Sequence, residues 1–236
     1  MRSAAARDAT CATSSGVGTV ENGRGHAPDQ AKSEHEAQRG AGGLPPEDLE
    51  DADFSPTDAP EVILELCAAC DRFVQSKYGV PLDFTGDTLS MIDQYVRDAR
   101  AEVAVKPAAF DLVAHAIGGY LGEVMRRTFG GEWFVDGEPR QYRLYFTRVK
   151  LSTNPLGIAR EALRDGEDDE YPASFVVDPQ YRDFVEAQLK EAPPVAADEY
   201  YLPSTRFDTC QVIVDLLHAK MEADGVERRR LSRDDY

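Results

Sequence analysis

A chain of 236 residues with 42% hydrophobic content has enough apolar material for a substantial core, and its length fits one large or two small domains. A net charge of -17 and a pI near 4.6 argue against nucleic acid or an anionic membrane as the main partner, because surplus carboxylates repel phosphate. No run approaches the ~18 consecutive apolar residues of a membrane span, and the first residues lack the apolar stretch of a secretory signal, so the sequence reads as cytoplasmic.

Residues 1–56 hold almost no large apolar side chain, so they cannot bury enough surface to offset their ordering entropy and are expected to form a disordered acidic arm. Leu44, Leu49 and Phe54 punctuate its acidic end, which reads as a solvated linker, with a short docking peptide as the sharper alternative. A single globular domain is expected over 57–225. Thr57 or Asp58 is the candidate N-cap of a first helix, with Pro60 in its opening turn; Ile63, Leu66, Cys70, Phe73 and Val74 recur at helical spacing until Gly79 stops it. Pro81 and Gly86 mark a loop, and Leu89, Ile92, Tyr95 and Val96 a second helix ending near Arg100.

Pro107 opens a long third helix whose apolar stripe runs through Phe110, Val113, Ile117, Leu121, Val124 and Thr128. Gly118, Gly119 and Gly122 lie beside that stripe. Each glycine inside a helix costs roughly 1 kcal/mol relative to alanine, so a close approach by another backbone is expected to offset them. Gly130 and Gly131 are read as left-handed caps. Glu132–Asp136 and Gln141–Leu151 alternate as the strands of a hairpin around Asp136-Gly137, with a phase slip near Arg148 that calls for a bulge or a break.

Asn154-Pro155 starts a short helix running to Gly166, and Asp178-Pro179 another ended by Pro193-Pro194. Thr205 and Asp208, spaced as a capping box, open a last helix that stops at Gly225; residues 226–236 are expected to be a flexible tail. The sum is an α+β fold: a helix-rich single domain with a small antiparallel sheet following the long third helix.

Cys67 and Cys70 form a C-x-x-C inside the first helix rather than at a strand-to-helix turn, so they read as buried, inert thiols; a metal pair completed by Cys210 and His218 lacks closely spaced second ligands. The run Asp165, Glu167, Asp168, Asp169 and Glu170 lacks the spacing of a calcium loop and reads as a solvated acidic loop. No metal and no cofactor is expected, and no catalytic residue is assigned by spacing.

Tyr120, Glu123 and Arg127 fall three and four apart on one helix face, with Glu123 preceding Arg127 in the favourable order for an ion pair. The plain reading is a solvated or partly buried salt bridge. The functional reading makes His115, Tyr120, Glu123, Arg127 and Trp133 a ligand-binding cleft edge. The stretch GGYLGEVMRRTFGGEW resembles a helix-plus-glycines pattern of bacterial proteins of unknown function, Gly-x-Tyr-(Leu or Val)-Gly-Glu followed by Gly-Gly-x-Trp, with Tyr120, Gly122, Glu123, Gly130, Gly131 and Trp133 as the matching positions. The resemblance implies no activity.

Two functions follow from the sequence. One is a non-enzymatic cytoplasmic bacterial module that binds another protein, without nucleic acid or membrane and with no oligomeric state specified. The other is an enzyme or small-ligand binder built on the polar residues around Glu123.

Overall fold

The computed structural model describes residues 59–236, so the arm expected over 1–56 and the capping candidates Thr57 and Asp58 lie outside the described residues. Six helices and four strands follow in the order α1 (Glu61–Tyr78), α2 (Leu89–Val103), α3 (Pro107–Phe129), β1 (Gly131–Phe134), β2 (Arg143–Phe146), β3 (Leu151–Thr153), α4 (Pro155–Arg164), β4 (Val176–Val177), α5 (Pro179–Glu191) and α6 (Pro203–Ala223). The strands form one antiparallel meander in the order β1-β2-β3-β4, with Trp133 opposite Leu144, Leu144 opposite Thr153, and Leu151 opposite Val177. This is the helix-rich α+β arrangement that the apolar periodicities specify.

The long helix α3 carries the architecture. Every residue from Ala116 to Arg126 is buried, so over these three turns the single apolar stripe expected from spacing is in fact a helix enclosed on all sides, whereas Leu112 before it and Thr128 after it are exposed. Its three internal glycines explain how. A Cβ on Gly118 would lie 2.5 Å from Leu156 Cα of α4, one on Gly119 would lie 2.7 Å from Leu66 Cβ of α1, and one on Gly122 would lie 2.3 Å from Trp133 Cζ2. Two helices and a strand therefore approach α3 more closely than any side chain permits, which is the gain that offsets the poor helix propensity of glycine.

Local signals set most boundaries. Gly79 ends α1 in a left-handed conformation, φ 71°. Asn154 caps α4 by accepting from the amides of Leu156 at 3.0 Å and Gly157 at 3.3 Å, while its own amide donates to the Arg140 carbonyl at 3.0 Å, tying α4 to the hairpin connection. The slip expected near Arg148 is a break into two short strands, β2 and β3, with Val149 and Leu151 both buried.

Several boundaries differ. Gly130 alone takes a positive φ, 76°, and Gly131 begins β1. Helix α2 runs on to Val103, and α4 ends on Asp165 in the left-handed region, φ 54°, one residue before Gly166. Strand β4 has only two residues, too few to show an alternation. Helix α6 begins at Pro203, and the expected Thr205/Asp208 box is replaced by a distant cap: the buried carboxylate of Asp93 on α2 accepts from Ser204 N at 3.1 Å and from Ser204 Oγ at 2.5 Å. That interaction joins positions 93 and 204, out of reach of any local pattern.

In the acidic loop Asp165, Glu167, Asp169 and Glu170 are exposed as expected, and Asp168 is the exception. Asp168 is only 6% exposed because Arg160 Nε reaches its Oδ2 at 2.6 Å and Arg164 Nε at 3.0 Å. Arg160 also pairs with Asp111 and Glu170, and its guanidinium lies 4.1 Å from the Tyr171 ring centroid. One buried arginine thus straps the loop to α3 and α4. The segment read as a free tail packs as well: Leu231 is 5% exposed, its amide donates to the Thr147 carbonyl at 2.7 Å, and the Tyr236 hydroxyl reaches the carbonyls of Phe146, which ends β2, and Val149. Its two apolar anchors are five residues apart, too sparse to register as a periodic element.

Candidate functional site

Helix α3 presents Tyr120, Glu123, Arg126 and Arg127, with Glu123 three residues after Tyr120 and three and four before the arginines, and Tyr120 and Arg127 meet the loop between α1 and α2. The Glu123 carboxylate is fully buried. It accepts from Arg126 Nε at 2.9 Å and Nη2 at 2.8 Å, in a two-pronged pairing, and from Arg127 Nε at 2.9 Å. Side-chain exposure is 0% for Glu123, 2% for Arg126 and 23% for Arg127, so Arg127 is the member that reaches toward solvent.

From Arg127 the network continues through an aromatic. Its guanidinium lies 3.8 Å from the centroid of Phe84, which also stacks on the Tyr120 ring at 4.9 Å. Phe84 has φ 63°, a conformation that bulky residues rarely adopt. It is held there by its own amide, which donates to the Tyr120 hydroxyl at 2.8 Å, and by the two groups that flank its ring. The same hydroxyl is 2.8 Å from Thr88 Oγ1, and burial pushes the phenol up to about 12, so Tyr120 stays protonated and acts as a bridge between α3 and the loop.

Two of the five expected site residues lie in other surroundings. His115 Nε2 is 3.1 Å from the Tyr171 hydroxyl, next to the Arg160 strap, and desolvation lowers its proton affinity. Trp133 is 8% exposed and lies against Gly122; its Nε1 has no hydrogen-bond partner among the described residues. The cleft expected from sequence is therefore two clusters and one packed indole, with Tyr120, Glu123 and Arg127 in one of them. Phe84 and Arg126 complete that cluster. The three-residue step from Glu123 to Arg126 was legible in the sequence, whereas nothing local points to Phe84.

The thiols line the same interior. Cys67 and Cys70 are 2% and 1% exposed on α1, and burial, with the Glu123 charge adding to it, pushes Cys67 up to about 12; burial also raises Cys70 and Cys210. Among the described residues no three His, Cys, Asp or Glu side chains are grouped as metal ligands. A crevice of about 50 Å³ between β1, β2 and residues 231–233 is well below the ~300 Å³ at which drug-sized ligands begin to fit. No described helix is long and apolar enough to cross a membrane. Comparison with protein-family models, with curated proteins and with solved structures gives no match.

Proposed function

We propose that this chain is a non-enzymatic protein-interaction module of the bacterial cytoplasm. The observation that carries the reading is an exposed run, residues 192–200, between α5 and α6. Val195 is 47% and Tyr200 49% exposed there, beside the carboxylates of Asp198 and Glu199. Backbone bonds Glu199 N to Ala196 O and Leu202 N to Glu199 O, both 3.0 Å, fold residues 196–202 into successive turns, which present Tyr200 in a defined shape just after Val195. Tyrosine and aliphatic groups ringed by charge are what interfaces use, and an excess of acid favours a basic or neutral protein over nucleic acid.

Around Glu123 the support runs the other way for a small-ligand site. The carboxylate is wholly engaged by two arginines, and the Tyr120 hydroxyl by Phe84 and Thr88. Buried reduced thiols on α1 and α6 accord with a reducing compartment. The resemblance of the α3 glycine pattern to bacterial proteins of unknown function supports the bacterial assignment.

Affinity capture from native-host extract with cross-linking tests the reading. The full chain is expected to retain a stoichiometric protein partner with cross-links on 191–201, and a Val195→Ala/Tyr200→Ala variant with unchanged melting temperature to retain at least about tenfold less, since exposed aromatic anchors dominate interface energy. Equal capture by the variant, or a purified chain that turns over a metabolite, would overturn it.

A further inference from the structure

The outward side chains of the β1–β2 hairpin are Glu132, Phe134, Arg143 and Tyr145, with Glu132 paired to Tyr145 and Phe134 to Arg143. Such a mixed aromatic and charged face would ordinarily meet water. Here it meets the segment after α6, and at three points. Arg230 Nη2 is 4.0 Å from Glu132 Oε2, the Arg233 guanidinium lies 3.8 Å from the Phe134 ring centroid, and Tyr236 packs edge-on to Tyr145 with centroids 5.0 Å apart. The Tyr236 hydroxyl donates to the carbonyls of Phe146 and Val149, the latter at 2.7 Å, and Leu231 is the one buried anchor.

The segment is attached loosely to the rest. Gly225, φ 71°, ends α6, and residues 222–230 are all exposed, so the docked piece hangs on an exposed connection that includes Arg228, Arg229 and Arg230. Those arginines stand out in a chain of net charge -17. Recognition of a guanidinium by an aromatic face and a carboxylate, and of a phenol by two carbonyls, is how a surface reads a peptide, whichever chain supplies it.

We propose that the outer face of the β1–β2 hairpin is a docking groove for an arginine- and tyrosine-bearing segment of a partner protein, and that residues 230–236 occupy it in cis as an exchangeable strap. The inference rests on the interaction-module reading and adds a second surface to it. A tethered strap has an effective concentration in the millimolar range, about that of a short flexible linker, so a partner segment gains the groove only when the strap is weakened or when it brings further contacts. Exposed pairing to Glu132 makes the exchange salt-sensitive.

The test uses a fluorescent peptide of residues 227–236, ERRRLSRDDY, titrated into the full chain and into its Leu231→Ala/Tyr236→Ala variant. Anisotropy is expected to show at least about tenfold tighter binding to the strap-weakened variant, because the tethered competitor is lost. Adding Phe134→Ala in that background is expected to abolish the binding. Equal or absent binding by a strap variant that still melts cooperatively, or binding indifferent to Phe134→Ala, overturns the groove. Should the variant fail to fold, amide exchange on the unaltered chain decides: Leu231 is expected to exchange at least about a hundredfold faster than Leu144, as a locally opening strap must. Equal protection makes the segment part of the core and ends the proposal. Cross-links at 191–201 report on the module reading separately, so loss of the groove and loss of the reading give different results.

Discussion

Replacing Gly118 or Gly122 by alanine is expected to destabilise the domain, although alanine is the better helix former. The gain from propensity is roughly 1 kcal/mol at each site, while forcing a methyl into a filled contact costs about 1–3 kcal/mol and occasionally more. Geometry says which effect wins. At Gly118 the obstruction is backbone, Leu156 Cα at 2.5 Å and Pro155 O at 2.8 Å, so α4 itself must move. At Gly122 it is the Trp133 ring at 2.3 Å and Pro155 Cγ at 2.8 Å, two rigid groups that sit in the core. We expect Gly118→Ala to be the costlier of the two, with melting temperature falling roughly 2–4 °C for each kcal/mol in a domain of this size. A rise in melting temperature in either variant would mean that the glycine face is not a packing surface.

Removing the charge of Glu123 has the largest expected effect. A solvated ion pair, one form of the plain sequence reading of Glu123 and Arg127 as a solvated or partly buried salt bridge, contributes about 0–1 kcal/mol, whereas breaking a buried pair by removing one partner costs about 3–5 kcal/mol. With the carboxylate fully buried and two guanidiniums converging on it, Glu123→Gln is expected to fall in the second range. The amide preserves the shape and one acceptor but leaves Arg126 and Arg127 without the charge they share. Chemical denaturation reads the difference directly. A loss under about 1 kcal/mol would place the cluster energetically at the surface, and would return Glu123 to consideration as a ligand group.

The sequence carried the fold where the physics is local. Proline at the first turn of α3, α4 and α5, Asn154 as a cap, Gly79 as a stop and the alternation around Trp133 each act within a few residues, and each is where the pattern puts it. What stayed hidden depends on partners far apart in the chain. Asp93 caps α6 across more than a hundred positions, Arg160 buries an aspartate that composition alone marks as solvated, and Tyr236 finds carbonyls beside β2. The candidate site shows the same division. Spacing placed Tyr120, Glu123 and Arg127 on one face, but only tertiary contacts bring Phe84 over Arg127, carry His115 to Tyr171 and turn Trp133 into the filler of the Gly122 notch. The glycine triplet is intermediate. Its cost in a helix announced a close neighbour without saying that α1, α4 and β1 would share the role.

Helix α3 is sealed within its neighbours from Ala116 to Arg126, with its polar cluster inside that stretch. Cys67 is the natural probe, because it is buried on α1 and feels the charges of Glu123, Arg126 and Arg127. The measurement is the rate at which Cys67 reacts with a thiol reagent in native buffer, followed by peptide mapping so that the four cysteines are read separately. Labelling is expected to be no faster than global unfolding permits, rising with denaturant along the unfolding curve. Labelling of Cys67 in native buffer at a rate near that of a cysteine in a short unfolded peptide would contradict it, since a reagent that reaches this thiol without unfolding has an open path to the Glu123 cluster.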